Sequence, residues 1–255
     1  MASKLSIDLN ADIGEHDGEG YGRDAALLDV VSSASIACGA HAGSANVMRR
    51  TIAAALERDV RIGAHPGYPD REGFGRRELG LSVADIVTSL LRQLELMIDC
   101  CSAEGATLRY VKPHGALYNR VATDNELAMV VAACVKEFDS TLVVLALSGG
   151  ALEKQATALG LPVAREAFID RAYMPDGTLV PRSRDDAVIR DAGLAADRAV
   201  DVALNKRVIA VDGSSVKVEA QSLCVHGDSL NALDAVSEAR RRLEAAGFTI
   251  EPFAR

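Results

Sequence analysis

Four of the five histidines in this 255-residue chain stand in short glycine-containing motifs, and each motif directly follows an apolar run. These motifs are Cys38-Gly-Ala-His41-Ala-Gly43, Gly63-Ala-His65-Pro-Gly67, Lys112-Pro-His114-Gly115 and Cys224-Val-His226-Gly-Asp228. A fifth motif carries carboxylates instead: Asp8-Leu-Asn10-Ala-Asp12-Ile-Gly-Glu15. Catalytic groups on a parallel α/β scaffold collect where strands end and loops begin. The five motifs therefore predict one shared pocket, and an enzyme.

The carboxylate motif predicts charged groups inside the fold. On a strand, Asp8, Asn10 and Asp12 face one side, because side chains alternate with period two. A carboxylate pair facing inward is costly unless it binds a metal, pairs with a cation or transfers protons. We therefore expect catalytic roles for Asp12 and Glu15 and a substrate contact for Asn10. The alternative is that Asp12 or Glu15 only caps the next loop or helix.

The histidine motifs predict the rest of the catalytic centre. A single histidine after a strand is more often structural, but the shared position of His41, His65 and His114 favours catalysis. Lys112 precedes a proline, which holds the residue extended and directs its side chain. Beside His114 it would stabilise a developing oxyanion or a phosphoryl group, unless it is an ordinary surface ammonium. If a divalent metal is bound, its expected ligands are Asp12, His41 and His65.

A second group of polar residues is predicted to bind the substrate. Its members follow the later strands or belong to the loop Gly73-Phe-Gly-Arg-Arg77, and they are Arg76, Arg77, Glu166, Asp170, Arg171, His226 and Asp228. The two guanidinium groups of the loop suit a carboxylate or phosphate, although ordinary surface charge is the alternative. Asp228 would orient an imidazole, or would cap the last helix together with His226.

Strand and helix patterns alternate along the chain, which predicts βαβ units and an α/β fold. The predicted strands are Leu5–Leu9, Ser33–Ala37, Val60–Ala64, Leu108–Val111, Thr141–Leu147, Val163–Ile169 and Ser222–Val225. Seven apolar runs without clean alternation indicate a distorted seven-stranded TIM-like barrel, with an open doubly wound sheet as the alternative. Because no linker divides the chain, we expect one domain over residues 1–255.

Capping and turn signals predict where helices and hairpins lie. We expect helices at 44–59, 82–105, 123–138 and 231–246, opened by Ser44, by Ser82 with Asp85, by Thr123 with Glu126, and by Asn231. We expect hairpins around Asp176-Gly177 and Asp212-Gly213. Both hairpins fall between the sixth and seventh predicted strands, which places them beside the barrel mouth.

Composition excludes several classes of function. A net charge of −8 argues against nucleic acid and anionic membranes as partners, and no apolar run is long enough to span a bilayer. Five cysteines without a Cys-x-x-Cys pair fit neither a disulfide framework nor a zinc knuckle, and indicate the cytoplasm. Sequence signatures of P-loop enzymes, Rossmann dehydrogenases, α/β-hydrolases and zincins are missing.

At its motifs the chain resembles the LamB/YcsF family, the lactam-utilisation proteins identified with the A subunit of the bacterial ATP-dependent 5-oxoprolinase. The matching segments extend from Ile7-Asp-Leu-Asn-Ala-Asp-Ile-Gly-Glu15 to Cys224-Val-His-Gly-Asp228 and cover nearly the whole chain. The resemblance implies a seven-stranded TIM-like barrel akin to polysaccharide deacetylases. It also implies opening of the 5-oxoproline lactam to L-glutamate, coupled to ATP hydrolysis and carried out with subunits B and C.

Two alternatives remain open beside this interpretation. One is a metal-dependent amidase or deacetylase, and the other is a non-catalytic subunit that binds a small lactam for its partners. The chain also departs from the family pattern, with Ser35 where Asn is usual, Ala40 where Phe is usual and Ser44 where Asp is usual. Because alanine is smaller than phenylalanine, we expect Ala40 to enlarge the substrate pocket.

Overall fold

The computed structural model describes residues 5–16, 21–227 and 231–254, in which strands and helices alternate. The strands are β1 (Leu5–Ile13), β2 (Ser33–Ala37), β3 (Arg61–His65), β4 (Tyr110–Val111), β5 (Val143–Leu147), β6 (Val163–Phe168), β7 (Arg207–Ile209), β8 (Ser215–Lys217), β9 (Ser222–His226) and β10 (Phe248–Ile250). The helices are α1 (Tyr21–Leu28), α2 (Ala45–Leu56), α3 (Val83–Glu104), α4 (Gly115–Thr123), α5 (Asn125–Phe138), α6 (Ala151–Ala158), α7 (Ala192–Asn205) and α8 (Ala232–Ala245).

Seven parallel strands close into a barrel, in the order β1, β2, β3, β4, β5, β6 and β9. Closure is explicit, because β9 pairs with β6 on one side and with β1 on the other. The predicted seven-stranded barrel is therefore confirmed, and the open sheet is wrong. The short strand β10 lies outside the ring, where it pairs with the first residues of β1.

Strand β1 carries polar groups inward and apolar groups outward. It continues to Ile13 rather than ending at Leu9 as predicted, so Asp12 lies within the strand. Leu9, Ala11 and Ile13 belong to the hydrophobic core and are fully buried, whereas Asp8, Asn10 and Asp12 make polar contacts inside the barrel. The alternation inferred from the sequence thus separates the apolar core around the barrel from a polar interior.

A tyrosine fills the barrel below the catalytic ends of the strands. Tyr110 is fully buried, and its hydroxyl lies 3.1 Å from the Oγ of Ser35. Its ring occupies the space that a side chain at Gly63 would need, because an added Cβ there would lie 2.2 Å from the ring. Glycine in the Gly63-Ala-His65 motif is therefore required by packing at this level of the barrel.

The helix caps follow the predictions except at Thr123 and at Asn231, which precedes α8 but makes no capping hydrogen bond with its side chain. Ser44 and Ser82 accept hydrogen bonds from the third residue after each of them, and Gly105 ends α3 in the left-handed conformation with φ 69°. The predicted Thr123 cap is wrong, because Thr123 is the last residue of α4. Asp124 caps α5 instead, accepting from the backbone N–H of Leu127.

Both predicted hairpins are present between β6 and β9. Strands β7 and β8 pair antiparallel, and Tyr173 and Leu179 form an antiparallel bridge around the turn at Gly177. The two hairpins touch, since the backbone N–H of Val211 donates to the carbonyl of Tyr173. Across the described ranges of the chain, no helix combines the length and apolar character needed to cross a membrane.

Candidate active site

A pocket of about 480 Å³ opens at the carboxyl ends of the barrel strands. Seven of the predicted site residues line it: Asp12, His65, Arg76, Lys112, His114, Arg171 and His226. They come from β1, β3, β9 and the loops after β3, β4 and β6, which the closed barrel brings to one end. Four of the five motifs therefore share the predicted pocket, whereas no residue of Cys38-Gly-Ala-His41-Ala-Gly43 lines it.

Lys112 is the centre of the pocket floor. Although it is only 1% exposed, its ammonium nitrogen Nζ lies 2.7 Å from Asp12 Oδ1 and 2.8 Å from Glu166 Oε1. The same ammonium donates to Asn10 Oδ1 at 3.3 Å and approaches Cys224 Sγ at 3.0 Å. Lys112 is therefore not a surface ammonium, since its charge is held between two buried carboxylates.

These contacts keep both partners charged. Burial alone would raise the pKa of Asp12, but the charges of His65 and Lys112 outweigh it and hold that pKa well below its ordinary value. Burial alone would lower the pKa of Lys112, but Asp12, Cys224 and Glu166 raise it well above its ordinary value. The floor therefore presents a fixed carboxylate and a fixed ammonium at neutral pH.

His65 and His114 face one another across a short gap. His65 Nδ1 lies 2.8 Å from the carbonyl of Lys112, and His114 Nε2 lies 2.8 Å from the carbonyl of Phe74. A carbonyl only accepts, so these two nitrogens carry the N–H groups. The remaining nitrogens, His65 Nε2 and His114 Nδ1, lie 2.9 Å apart. Two lone pairs would repel at this distance, so the pair needs one cation between them, either a proton or a metal ion.

His41 and Glu15 support this pair from behind. The ring of His41 stacks on that of His114 with 3.7 Å between centroids, and His41 Nε2 lies 3.3 Å from Glu15 Oε1. Burial lowers the pKa of His41 to about 3, so its imidazole is neutral. Gly75, with φ 64°, packs against both rings, since a Cβ there would lie 2.8 Å from His41 Cβ. Neither Glu15 nor His41 lines the pocket.

His226 forms a separate dyad with Asp170. Its Nδ1 lies 3.0 Å from Asp170 Oδ2, which also accepts from the backbone N–H of His226. Burial lowers the pKa of His226 despite the opposing charge of Asp170, so the imidazole is neutral at pH 7. Because Nδ1 donates to Asp170, the lone pair is on Nε2, and the ring lines the pocket.

Three predicted substrate-binding residues instead lie behind the pocket wall. Asn10, Glu166 and Asp170 are buried and do not line the pocket. Asn10 donates to Glu166 at 2.9 Å, and Glu166 also accepts from the hydroxyl of Tyr118 at 2.8 Å. These residues position Lys112 and His226, and their predicted contact with the substrate stays a prediction.

Arg77 and Arg171, two arginines predicted to bind the substrate, have partners within the protein. The guanidinium group of Arg77 binds Asp70 outside the pocket, with Nε 3.0 Å from Asp70 Oδ2. Arg171 does line the pocket, but its guanidinium donates to the carbonyls of Val180 and Ala187 and so braces the following loop. Asp228 lies outside the described residues.

The predicted metal ligands differ from the group that the structure brings together. Glu15, His65 and His114 each offer a ligand atom within 4.8 Å of the others. Within the described part of the chain, Asp12 and His41 do not belong to such a group. Asp12 Oδ1 is bound to Lys112, and His41 Nε2 faces Glu15, so only His65 is common to both sets.

The three departures from the family pattern lie away from the pocket. Ser35 contacts Tyr110 below the floor, and Ser44 caps α2. Ala40 lines a different cleft, of about 400 Å³, beside α3. The expectation that Ala40 enlarges the substrate pocket is therefore wrong.

Several site residues were missed from the sequence. Phe74 supplies the carbonyl that orients His114, Phe168 stacks on His226 at 5.1 Å between centroids, and Arg182 lines the pocket. Phe74 belongs to the Gly73-Phe-Gly segment of a motif already singled out, and Phe168 is the last residue of β6. Arg182 ends the stretch that follows Asp170-Arg171, which was the available signal.

Comparisons with known proteins agree with this geometry. The LamB/YcsF family model matches residues 7–255. A protein of Agrobacterium fabrum that is named as an A subunit of 5-oxoprolinase is 46% identical over 250 residues, covering 98% of each chain. The solved "Lactam Utilization Protein" of Thermus thermophilus has a TM-score of 0.90 and 42% identity, covering 98% of this chain and all of that one.

A more distant likeness concerns the fold alone. A family 4 carbohydrate esterase from Streptomyces lividans superimposes with a TM-score of 0.53 at 11% identity, covering 98% of this chain and 93% of the esterase. The predicted deacetylase-like barrel is therefore confirmed as an architecture. With nearly the whole chain matched by the family model and by close relatives, this protein belongs to the LamB/YcsF family.

Proposed function

We propose that this chain is the A subunit of a multi-subunit 5-oxoprolinase, which opens the lactam of 5-oxoproline to L-glutamate at the expense of ATP. The names of its close relatives support this assignment. The observation that carries it is the charged floor, where Lys112 and Asp12 lie beside His65 and His226. We further propose that residues 1–255 act as one cytoplasmic domain.

The floor suits a two-stage opening of the ring. A lactam is a resonance-stabilised amide, and transfer of the γ-phosphoryl group of ATP to its carbonyl oxygen makes the carbon electrophilic. Water then adds to that carbon, the ring C–N bond breaks as nitrogen takes a proton, and a second water releases phosphate from the resulting acyl phosphate. Lys112 stabilises the charge that develops on oxygen.

His226 and the pair of His65 and His114 divide the proton transfers. His226 holds its Nε2 lone pair toward the pocket, because Asp170 takes the Nδ1 proton, and is suited to accept a proton from water. His65 Nε2 lies 2.9 Å from His114 Nδ1 and 3.3 Å from Asp12 Oδ2, and a proton held between the two imidazoles there is suited to protonate the leaving nitrogen. His226 thus acts as the general base, and the pair of His65 and His114 acts as the general acid.

Reconstitution with subunits B and C tests the assignment. The chain carries no nucleotide-binding signature, so alone we expect it to hydrolyse neither ATP nor 5-oxoproline at a useful rate. Adding subunits B and C should switch on formation of glutamate and phosphate in a fixed ratio, measured together. Partners would close the pocket around the activated lactam and exclude water, with the hairpins at Gly177 and Gly213 as the contact.

Two results would contradict this assignment. ATP-coupled ring opening by the isolated chain would show that the site is complete without partners. Binding of 5-oxoproline without turnover, even with both partners present, would instead identify a non-catalytic binding subunit.

The group of Glu15, His65 and His114 favours a second candidate, a metal-dependent amidase. Its nitrogen and oxygen donors fit a divalent ion such as Zn²⁺, and the far nitrogens of both imidazoles are held by carbonyl groups, as in metal sites. When bound, such an ion would polarise an amide carbonyl.

Metal analysis separates the two candidates. For the amidase we expect one ion per purified chain, and calorimetric Zn²⁺ binding that His114→Ala removes and His16→Ala, next to the cluster, retains. Amide hydrolysis without ATP should accompany it. A metal-free chain that shows ATP-coupled activity with its partners would exclude this candidate and leave a proton between the two histidines.

A further inference from the structure

The buried face of α3 carries a polar side chain within an apolar stripe. Ile86, Leu90, Leu94 and Met97 belong to the hydrophobic core, and Gln93 lies on the same face with an exposure of 5%. Burying an amide costs free energy unless its hydrogen bonds are made inside the protein. Gln93 therefore requires polar partners in the elements that pack against α3.

Gln93 binds the backbone of Gly67 in both directions. Its side-chain oxygen Oε1 accepts from the N–H of Gly67 at 3.0 Å, and its Nε2 donates to the carbonyl of Gly67 at 2.9 Å. The same nitrogen lies 3.2 Å from the carbonyl of Ser89, one turn earlier on α3. A primary amide offers an acceptor and a donor side by side, which a carboxylate or an ammonium does not. Gln93 thus ties the loop after β3 to α3.

Gly67 lies directly against the histidines of the site. A Cβ on Gly67 would lie 2.9 Å from His41 Nδ1 and 3.1 Å from His114 Cβ. The preceding residue, Pro66, accepts through its carbonyl from the backbone N–H of His114 at 2.8 Å. Since His65 comes directly before Pro66, one short segment carries the first histidine of the pair and holds the second.

The spacing of the pair depends on how firmly this segment is held. His65 Nε2 and His114 Nδ1 lie 2.9 Å apart, and a proton between them must stay within reach of both nitrogens. Strand β3 ends at His65, so Gly67 lies beyond the paired part of the barrel. The amide of Gln93 supplies Gly67 with the acceptor and the donor that a neighbouring strand would otherwise provide.

We propose that Gln93 is a positioning residue of the active site. By holding Gly67, it sets the spacing of the pair of His65 and His114, and through that spacing the transfer of a proton to the leaving nitrogen. The inference rests on the proposed function. Gln93 does not line the pocket, so it acts through Gly67 and not on the substrate. A displacement of about 1 Å at a catalytic group can cost about a hundredfold in rate.

The first test uses Gln93→Met, which keeps the size of the side chain and removes both hydrogen bonds to Gly67. In the isolated chain, we expect the backbone N–H of His114 to exchange with solvent about tenfold faster or more, measured by NMR, because its acceptor Pro66 is no longer anchored. The amides of β1 should keep their exchange rates.

The same variant is then reconstituted with subunits B and C. We expect kcat to fall about tenfold or more while the KM for 5-oxoproline stays within about threefold, because the residues that line the pocket are unchanged. The matched control is Thr88→Ala. Thr88 belongs to α3 and lines the same outer cleft as Gln93, but its hydroxyl donates to Ala84 within the helix. It should change neither the exchange at His114 nor kcat.

Gln93→Glu adds a measurement that loss of packing alone would not affect. As a carboxylate, the new side chain cannot donate to the carbonyl of Gly67, whereas its protonated form offers a donor and an acceptor, as the amide does. Burial raises the pKa of such a carboxyl, so the protonated form returns as the pH falls. We expect the ratio of the kcat of Gln93→Glu to that of wild type to rise between about pH 8.5 and about pH 6.

Thermal melting identifies which variants are folded, and Gln93→Glu decides the case if Gln93→Met is not. Unchanged exchange at His114, an unchanged kcat, or a loss confined to KM would overturn the positioning role and leave the lactam-opening function in place. An inactive wild-type complex would remove the proposed function, while exchange at His114 in the isolated chain would still decide whether Gln93 holds the pair.

Discussion

Replacing Lys112 by methionine should both destabilise the protein and cut turnover of the reconstituted complex by about two orders of magnitude. The ammonium is buried between Asp12 and Glu166, so its loss leaves two carboxylates in the barrel without a cation. Removing one partner of a buried ion pair costs about 3–5 kcal/mol. We expect a loss of that size in the free energy of unfolding, measured by urea denaturation.

A surface lysine serves as the control that separates the loss of this buried ion pair from the loss of a positive charge in general. Lys217 pairs with Glu219 on the surface, where its side chain is 77% exposed, so Lys217→Met should change stability by less than about 0.5 kcal/mol. A Lys112→Met protein as stable as wild type would show that the floor carboxylates are protonated. A change confined to the KM for 5-oxoproline would make Lys112 a substrate clamp instead.

Asp12→Asn should lower glutamate formation by at least about a hundredfold. The ionised carboxylate lies 2.7 Å from Lys112 and 3.3 Å from His65 Nε2, so the amide removes the charge that holds both in place. Stability should also fall, by about 1.5–3 kcal/mol for a lost charged hydrogen bond, because Asp12 is almost fully buried. From the sequence alone, Asp12 is expected to face the pocket, and Asp12→Asn would then leave the stability of the fold unchanged.

The control for this variant comes from the same strand. Asp8 is buried four residues earlier, where it bonds to Ser32 and Ser33 and does not line the pocket. Burial raises its pKa to about 6, whereas that of Asp12 is held well below its ordinary value, so the ionised form is held less firmly at position 8 than at position 12. Asp8→Asn should therefore retain most of the turnover. Equal losses in both variants would indicate a general disturbance of the barrel interior, and would remove the specific role of Asp12.

The barrel is predictable from the sequence because its signals are local. Apolar runs mark strands covered on both faces, and the polar residues after them mark the catalytic end. The positions of His65, Lys112, His114 and His226 follow directly from that rule. A short strand is not predictable in this way. The three residues of β10 carry no clear strand pattern in the sequence, and they form a strand by pairing with β1.

The sequence does not reveal which side chains pair with one another when they lie far apart along the chain. Asp170 orients His226, because β6 and β9 are parallel neighbours and their ends meet. Proximity along the chain points only to Asp228, which lies outside the described residues. Likewise, Arg77 binds Asp70 while Arg76 lines the pocket, a difference that spacing along the chain does not reveal.

The closing pair of the barrel has a consequence for synthesis on the ribosome. Strand β1 is made first, yet one of its two barrel neighbours is β9. Ser222 of β9 accepts a hydrogen bond from the side chain of Asn10, which lies 212 positions earlier in the chain. Translation of most of the chain must therefore finish before the ring can close, and both edges of the growing sheet stay open in the meantime. The inward charges of Asp8 and Asp12 discourage those edges from pairing with other nascent chains. Both carboxylates of the strand would thus oppose aggregation of the nascent chain, and Asp12 later serves the pocket as well.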